Sequence, residues 1–139
     1  MKSFLFRLGV VLIGLILFGN AEVWGMDWRL YDFDDLNIRY YDAEGIKHPS
    51  KNIVRIWVKW KYREKGVIEI VKKLGKKYEN IDFTIALKEI NCSDKTMRDL
   101  SLDDYSKEGK IIFSTSSEDE WDYIVQGSAA EALYEAVCK

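Results

Sequence analysis

The spacing of apolar residues changes period several times along the chain, and each change marks an element. In IVRIWVKWKY, residues 53–62, Val54, Ile56, Val58, Trp60 and Tyr62 alternate with Arg55, Trp57, Lys59 and Lys61. One apolar and one largely basic face at a period of two predict an antiparallel strand with one wet side. Upstream, Trp28 to Phe33 and Ile38 to Asp42 are aromatic runs separated by DDLN, which predicts a hairpin. AEGIKHPSKN then reads as a polar loop. After Gly66 the period lengthens. Val67, Ile70, Val71, Leu74 and Tyr78 follow helical spacing, with Lys72, Lys73, Lys76 and Lys77 opposite and Gly75 as a weak point. FTIALKEINC (83–92), KTMRDLSLDDY (95–105) and KIIFST (110–115) return to strand, with SKEG as a tight turn and SSEDE as an acidic loop. The expected fold class is α+β: about six antiparallel strands, an amphipathic helix inserted between strands, and a C-terminal helix.

That last helix has a defined start. Ser128 followed by Glu131 is a capping box, which begins the helix at Ala129. Ala130, Leu133, Tyr134 and Val137 give it one apolar face. About ten helical residues at a chain end are marginal alone. The opening residues supply what is missing. MKSFLFRLGVVLIGLILFGNAEVWG has a basic start at Lys2 and Arg7, an apolar core from Leu8 to Phe18, and small residues at Gly19, Ala21 and Gly25. This order predicts a secretory signal peptide, residues 1–25, cut after Ala21 or Gly25 with Gly25 preferred. An uncleaved N-terminal anchor is the alternative. No cysteine lies near either cut, so lipid anchoring through an N-terminal cysteine is not expected.

Export changes how Cys92 and Cys138, the two cysteines, are read. In an oxidising compartment two thiols predict a disulfide. Joining them closes a loop of 46 positions and ties the last turn of the helix to an interior strand. The mature domain, residues 26–139, has the size of one small domain. Without Lys2, Arg7 and Glu22, the 21 basic and 23 acidic residues become 19 and 22, a formal charge of −3. That balance argues against nucleic-acid binding, which rests on neutralising many phosphates.

The residues carry no visible catalytic set. His48, the only histidine, stands beside Pro49 in the polar loop, and a Ser-His-Asp or Cys-His system would have to use it. One histidine and two paired cysteines leave no ligands for zinc. Asp32, Asp34, Asp35 and Asn37 are the densest oxygen cluster, but DFDDLN lacks the turn glycine of a calcium loop, and Leu36 stands at a ligand position. No cofactor is expected, and no glycine-rich phosphate loop is present. The four lysines of the middle helix read as a solvated face, with a polyanion or acidic partner as the alternative.

In order, WRLY, IVRIWVKWKY, EINCSDKTMRDLS and WDYIVQGSAAEALYEAVCK resemble the surface-adhesin protein E family of Gram-negative bacteria, over nearly all of residues 27–139. The most specific part is the pair of elements carrying Cys92 and Cys138, with Trp121 and Tyr123 before the closing helix. The resemblance implies a six-stranded antiparallel sheet with a C-terminal helix disulfide-linked to it. It implies adhesion to host matrix and serum proteins, and a homodimer. The chain departs from the family in the helical insert, residues 66–78, and in Val125 and Gln126, where prolines are common. Two function classes follow. One is an exported cell-envelope protein-binding module, in periplasm, cell surface or medium, with its partner unidentified. The other is a small exported ligand carrier or enzyme with a pocket between sheet and helices. For self-association, strand 53–62 is the expected pairing edge.

Overall fold

Residues 26–139 are described by the structure, a computed structural model; the expected signal peptide, residues 1–25, lies outside the described residues. The alternating segment forms β4 (Ile53–Tyr62), and its pattern is obeyed: Val54, Ile56 and Val58 are buried while Arg55 and Trp57 are half-buried on the opposite face. β1 (Trp28–Phe33) and β2 (Asn37–Asp42) make the expected hairpin. β5 (Ile81–Asn91), β6 (Thr96–Ser106) and β7 (Ile111–Ser116) complete an antiparallel path in the order β1-β2-β4-β5-β6-β7.

Two short strands extend the sheet beyond six. The polar loop contains β3 (Lys47–Ser50), which folds back on the start of β4 with Lys47 opposite Arg55 and Ser50 opposite Ile53. Every β3 side chain is exposed, so no buried alternation marks it. Near the end, β8 (Asp122–Tyr123) pairs with Thr96 and Met97 of β6. Strand 53–62 is not an edge, which corrects the expected site of self-association. β2 and β3 occupy one side of β4 and β5 the other, so its ladder groups are satisfied within the chain. The sheet ends instead on β1 and β7.

The inserted helix α1 (Glu64–Leu74) starts two residues before Gly66 rather than after it. A Cβ at Gly66 would lie 2.1 Å from the carbonyl oxygen of Leu36, so only glycine lets this turn approach the β1–β2 turn. Arg63 N–H also donates to that oxygen, at 2.8 Å. Gly75, at φ 109°, ends the helix, and Lys76–Tyr78 continues as a 3-10 turn that buries Tyr78. Tyr62 and Thr84 hydroxyls lie 3.0 Å apart, and Thr84 donates to the buried Asp104 carboxylate at 2.5 Å. Burial holds the Asp104 carboxyl above its ordinary range, against the Thr84 hydrogen bond.

The closing helix α2 (Ala129–Val137) covers the other end of the same face. Leu133 joins Val54, Ile56, Val58, Ala86, Ile90 and Ile124 in the core, with Ala130, Tyr134 and Val137 packed at its edge. Ser128 Oγ accepts from Glu131 N–H, as the capping box requires. The return arm differs: Glu131 accepts from Gly127 N–H at 2.8 Å and from Lys95 Nζ at 2.8 Å. Cys92 and Cys138 are bonded, with Cα atoms 5.6 Å apart. The β5–β6 turn therefore grips α2 three times, because Tyr134 Oη also donates to the Cys92 carbonyl at 3.3 Å.

A 46-residue separation gives the crosslink about 4 kcal/mol in the chain-entropy account. Cys138→Ser is expected to lower stability by about 2–5 kcal/mol, and Leu133→Ala by about 3 kcal/mol through the cavity left in the core. Thermal melts with and without reductant test the first. Limited proteolysis should cut at α2 before the strands, and equal melting points would overturn the assignment of weight to the disulfide.

Candidate protein-binding surface

Both described helices lie on one face of the sheet. The opposite face is built by the second half of each strand's alternation. From β4 it receives Arg55, Trp57, Lys59 and Lys61. The register places Glu89, Leu87, Ile85 and Phe83 of β5 opposite these four in turn. Tyr40 and Ile38 of β2 come from the other side, followed by Leu30 and Phe33 of β1. Tyr105 of β6 stacks on Phe83, ring centroids 4.9 Å apart. No described element lies over this surface. Leu30 is 53% exposed and Phe33 62%, both large apolar side chains at the β1 edge.

Lys59 stands in the middle. Its ammonium lies 4.9 Å from the Phe83 ring centroid and 5.7 Å from that of Trp28. Burial, then the neighbouring Lys61, pull it below the ordinary lysine range, against the pull of Asp82. Lys61 is itself paired with Asp82 at 2.6 Å, whereas Lys59 has no carboxylate partner within the described residues. The ring faces attract the cation and hold it at the surface without a counter-charge.

At the β3 end the face is fixed by a buried network. Glu89 is 3% exposed and accepts four guanidinium hydrogen bonds. Arg55 gives two to Oε2, at 2.9 and 2.8 Å, and Arg98 gives two to Oε1, at 3.0 and 2.8 Å. Desolvation raises the Glu89 carboxyl, but the two arginines outweigh it and hold the group below its ordinary value. Arg98 also stacks on the Trp121 ring at 4.5 Å. This network tells against solvent-filled disorder on the open face, since both arginines are immobilised by one carboxylate.

The residues singled out for chemistry are dispersed. His48 is exposed on β3. Asp34 accepts from the N–H groups of Leu36 and Asn37, and it shares Arg39 with Asp32. The aspartate cluster is thus a turn cap and an ion pair, and no group of three or more His, Cys, Asp or Glu among the described residues is placed to hold a metal. A groove of about 840 Å³ runs between α1 and the β1–β2 turn, with Tyr62, Ile70, Lys73 and Leu74 among its walls. It brings together neither histidine nor cysteine. Lys59 between its rings and the Glu89 network were not found from the sequence. The alternation put Lys59 beside Trp57 on the wet face, but the partners Trp28, Phe83 and Arg98 depend on register.

Glu89→Gln is expected to cost about 3 kcal/mol at neutral pH, because it leaves two guanidiniums without their charge. The carboxyl's folded value lies below its ordinary 4.5, so its contribution is present above that pH and is lost as pH falls through the folded value. Acid titration of stability should therefore be steeper for the native protein than for Glu89→Gln below about pH 4.5. Parallel curves would remove the pairing as a source of stability.

The family model described as surface-adhesin protein E matches residues 28–139, from the first residue of β1 to the end of the chain. No curated protein and no solved structure matches. The matched stretch includes all eight described strands, both described helices and both bonded cysteines. The chain belongs to the surface-adhesin protein E family.

Proposed function

We propose that the protein is an exported, non-catalytic binding module of the cell envelope, adhesin-like, that grips a protein partner with the open face of its sheet. The observation that carries this reading is the aromatic and aliphatic face around Lys59, left uncovered by both described helices. Interfaces draw on aromatic and cationic side chains on a rigid base, and a monomer seldom exposes a contiguous apolar patch without a partner for it. Family membership supports the adhesin-like role and makes host matrix and serum proteins the partners to try first. The disulfide supports export, since such bonds persist in oxidising compartments. The groove beside α1 is the feature that favours the second reading, a small ligand carrier.

Two tests separate these readings. Native protein and a Leu30→Ser/Phe33→Ser/Lys59→Ala variant should be applied to immobilised serum and matrix proteins. Binding should fall at least tenfold in the variant, while Lys73→Ala in the groove leaves it unchanged. Equal binding by native protein and the face variant would overturn the assignment of the surface. Export is tested by sequencing the N-terminus of protein from periplasm or medium. It should begin between Glu22 and Met26, as a signal peptide of residues 1–25 requires, and an intact Met1 in the cytoplasm would end this reading.

A further inference from the structure

The antiparallel topology brings α1's last turn, the 3-10 turn and the β6–β7 turn to one end of the sheet. Lys107 N–H donates to the Asn80 carbonyl at 2.9 Å, which joins the last two. Residues 72–80 and 106–113 carry six lysines against Glu79 and Glu108, a formal +4 in a chain of net −2. All six lysines are exposed. Of these six, only Lys72 has an ion pair among the described residues, with Glu69 at 3.8 Å. The acidic Asp34 and Asp35 lie at the same end but on the β1–β2 corner, where Arg39 and Lys65 engage them.

Large apolar side chains stand among these lysines. Leu74 is 56% exposed, Ile111 56% and Phe113 42%. Lys77 Nζ lies 5.8 Å from the Phe113 ring centroid and 5.4 Å from that of Tyr78, so cation and ring share one surface. We infer that this end is a docking surface for an anionic phospholipid bilayer. Charge complementarity selects an anionic occupant, and the protruding apolar groups select a bilayer over an acidic protein. Single Leu, Ile and Phe side chains between lysines can enter the acyl boundary while flexible ammonium groups reach the phosphates. An acidic polymer offers those side chains nothing apolar to enter. Ile111 lies opposite Tyr105, so this end adjoins the open sheet face at the β6–β7 corner.

The test compares full chains, so that residues 1–25 contribute equally to every sample. Native protein should partition more strongly onto vesicles containing roughly a third phosphatidylglycerol than onto pure phosphatidylcholine, and salt should abolish the difference. Lys73→Gln/Lys76→Gln/Lys77→Gln should weaken the anionic increment on the order of a hundredfold, about fivefold for each lysine. Leu74→Ser/Phe113→Ser should weaken binding to the same vesicles about tenfold and leave its salt dependence in place. The lysine variant changes only exposed side chains, so it decides the matter even where the apolar variant fails to fold. Equal partition of native protein onto both vesicles, or native-like binding by the lysine variant, overturns the proposal. Salt-dependent binding to polyglutamate without vesicle binding overturns it in favour of an acidic macromolecule.

Discussion

One half of the core depends on nine helical residues that have no independent means of staying folded. β4 and β5 bury Val54, Ile56, Ala86 and Ile90 on a single face, and α2 is what excludes water from that end. A helix of two to three turns is unstable in water, so its position must be enforced by contacts to the sheet. The turn from Cys92 to Lys95 does this at three points of different chemistry: a covalent bond at the last turn, a hydroxyl on the Cys92 carbonyl, and an ion pair to the first turn at Glu131. Lys95, which closes that turn by donating its N–H to the Asn91 carbonyl, holds φ 58°, a conformation uncommon for a side-chain-bearing residue. The cost of ordering a chain end is thereby met in the hairpin turn, and the helix needs only a small apolar face.

Placing both described helices on one side has a consequence for the other. A sheet covered once must either be polar on its free face or hold its apolar residues ready for a partner. Here the free face keeps Trp57, Phe83, Ile85 and Leu87 half-buried among themselves. The Arg55–Glu89–Arg98 network gives that face a rigid end without hiding its aromatic part. The surface is thereby preformed, and its side chains keep little freedom.

What could be read in the sequence was what alternation and capping specify locally. The two faces of β4, the start of α2 at Ser128 and the weak point at Gly75 all follow from nearest neighbours in sequence. β3 could not be read, because four exposed residues including Pro49 carry no buried period. The apolar period places Gly66 before the helix, whereas it lies in the first turn. Its actual role, room for the Leu36 carbonyl, is a contact across 30 positions that no local pattern encodes. The same applies to β4 as an interior strand: its own residues show that one face is buried, but not how many neighbours its ladder has. The site was legible as a wet basic and aromatic face, and illegible as Lys59 between Trp28 and Phe83, which requires the register of three strands.

Of the three buried carboxylates, Asp42, Glu89 and Asp104, the last two show how the sheet divides its tasks. Glu89, on the open face, is held ionised by two guanidiniums, and its contribution to stability exists above its ordinary value and disappears in acid. Asp104, under the 3-10 turn, has burial as its main influence, so its carboxyl is raised and its ionisation works against the fold as pH rises. The opposed signs follow from what covers each group. The open face has no helix to shield a charge, so the charge is compensated inside the sheet by Arg55 and Arg98. A face already closed by its own chain can leave a carboxyl with one hydroxyl, Thr84, and accept the desolvation.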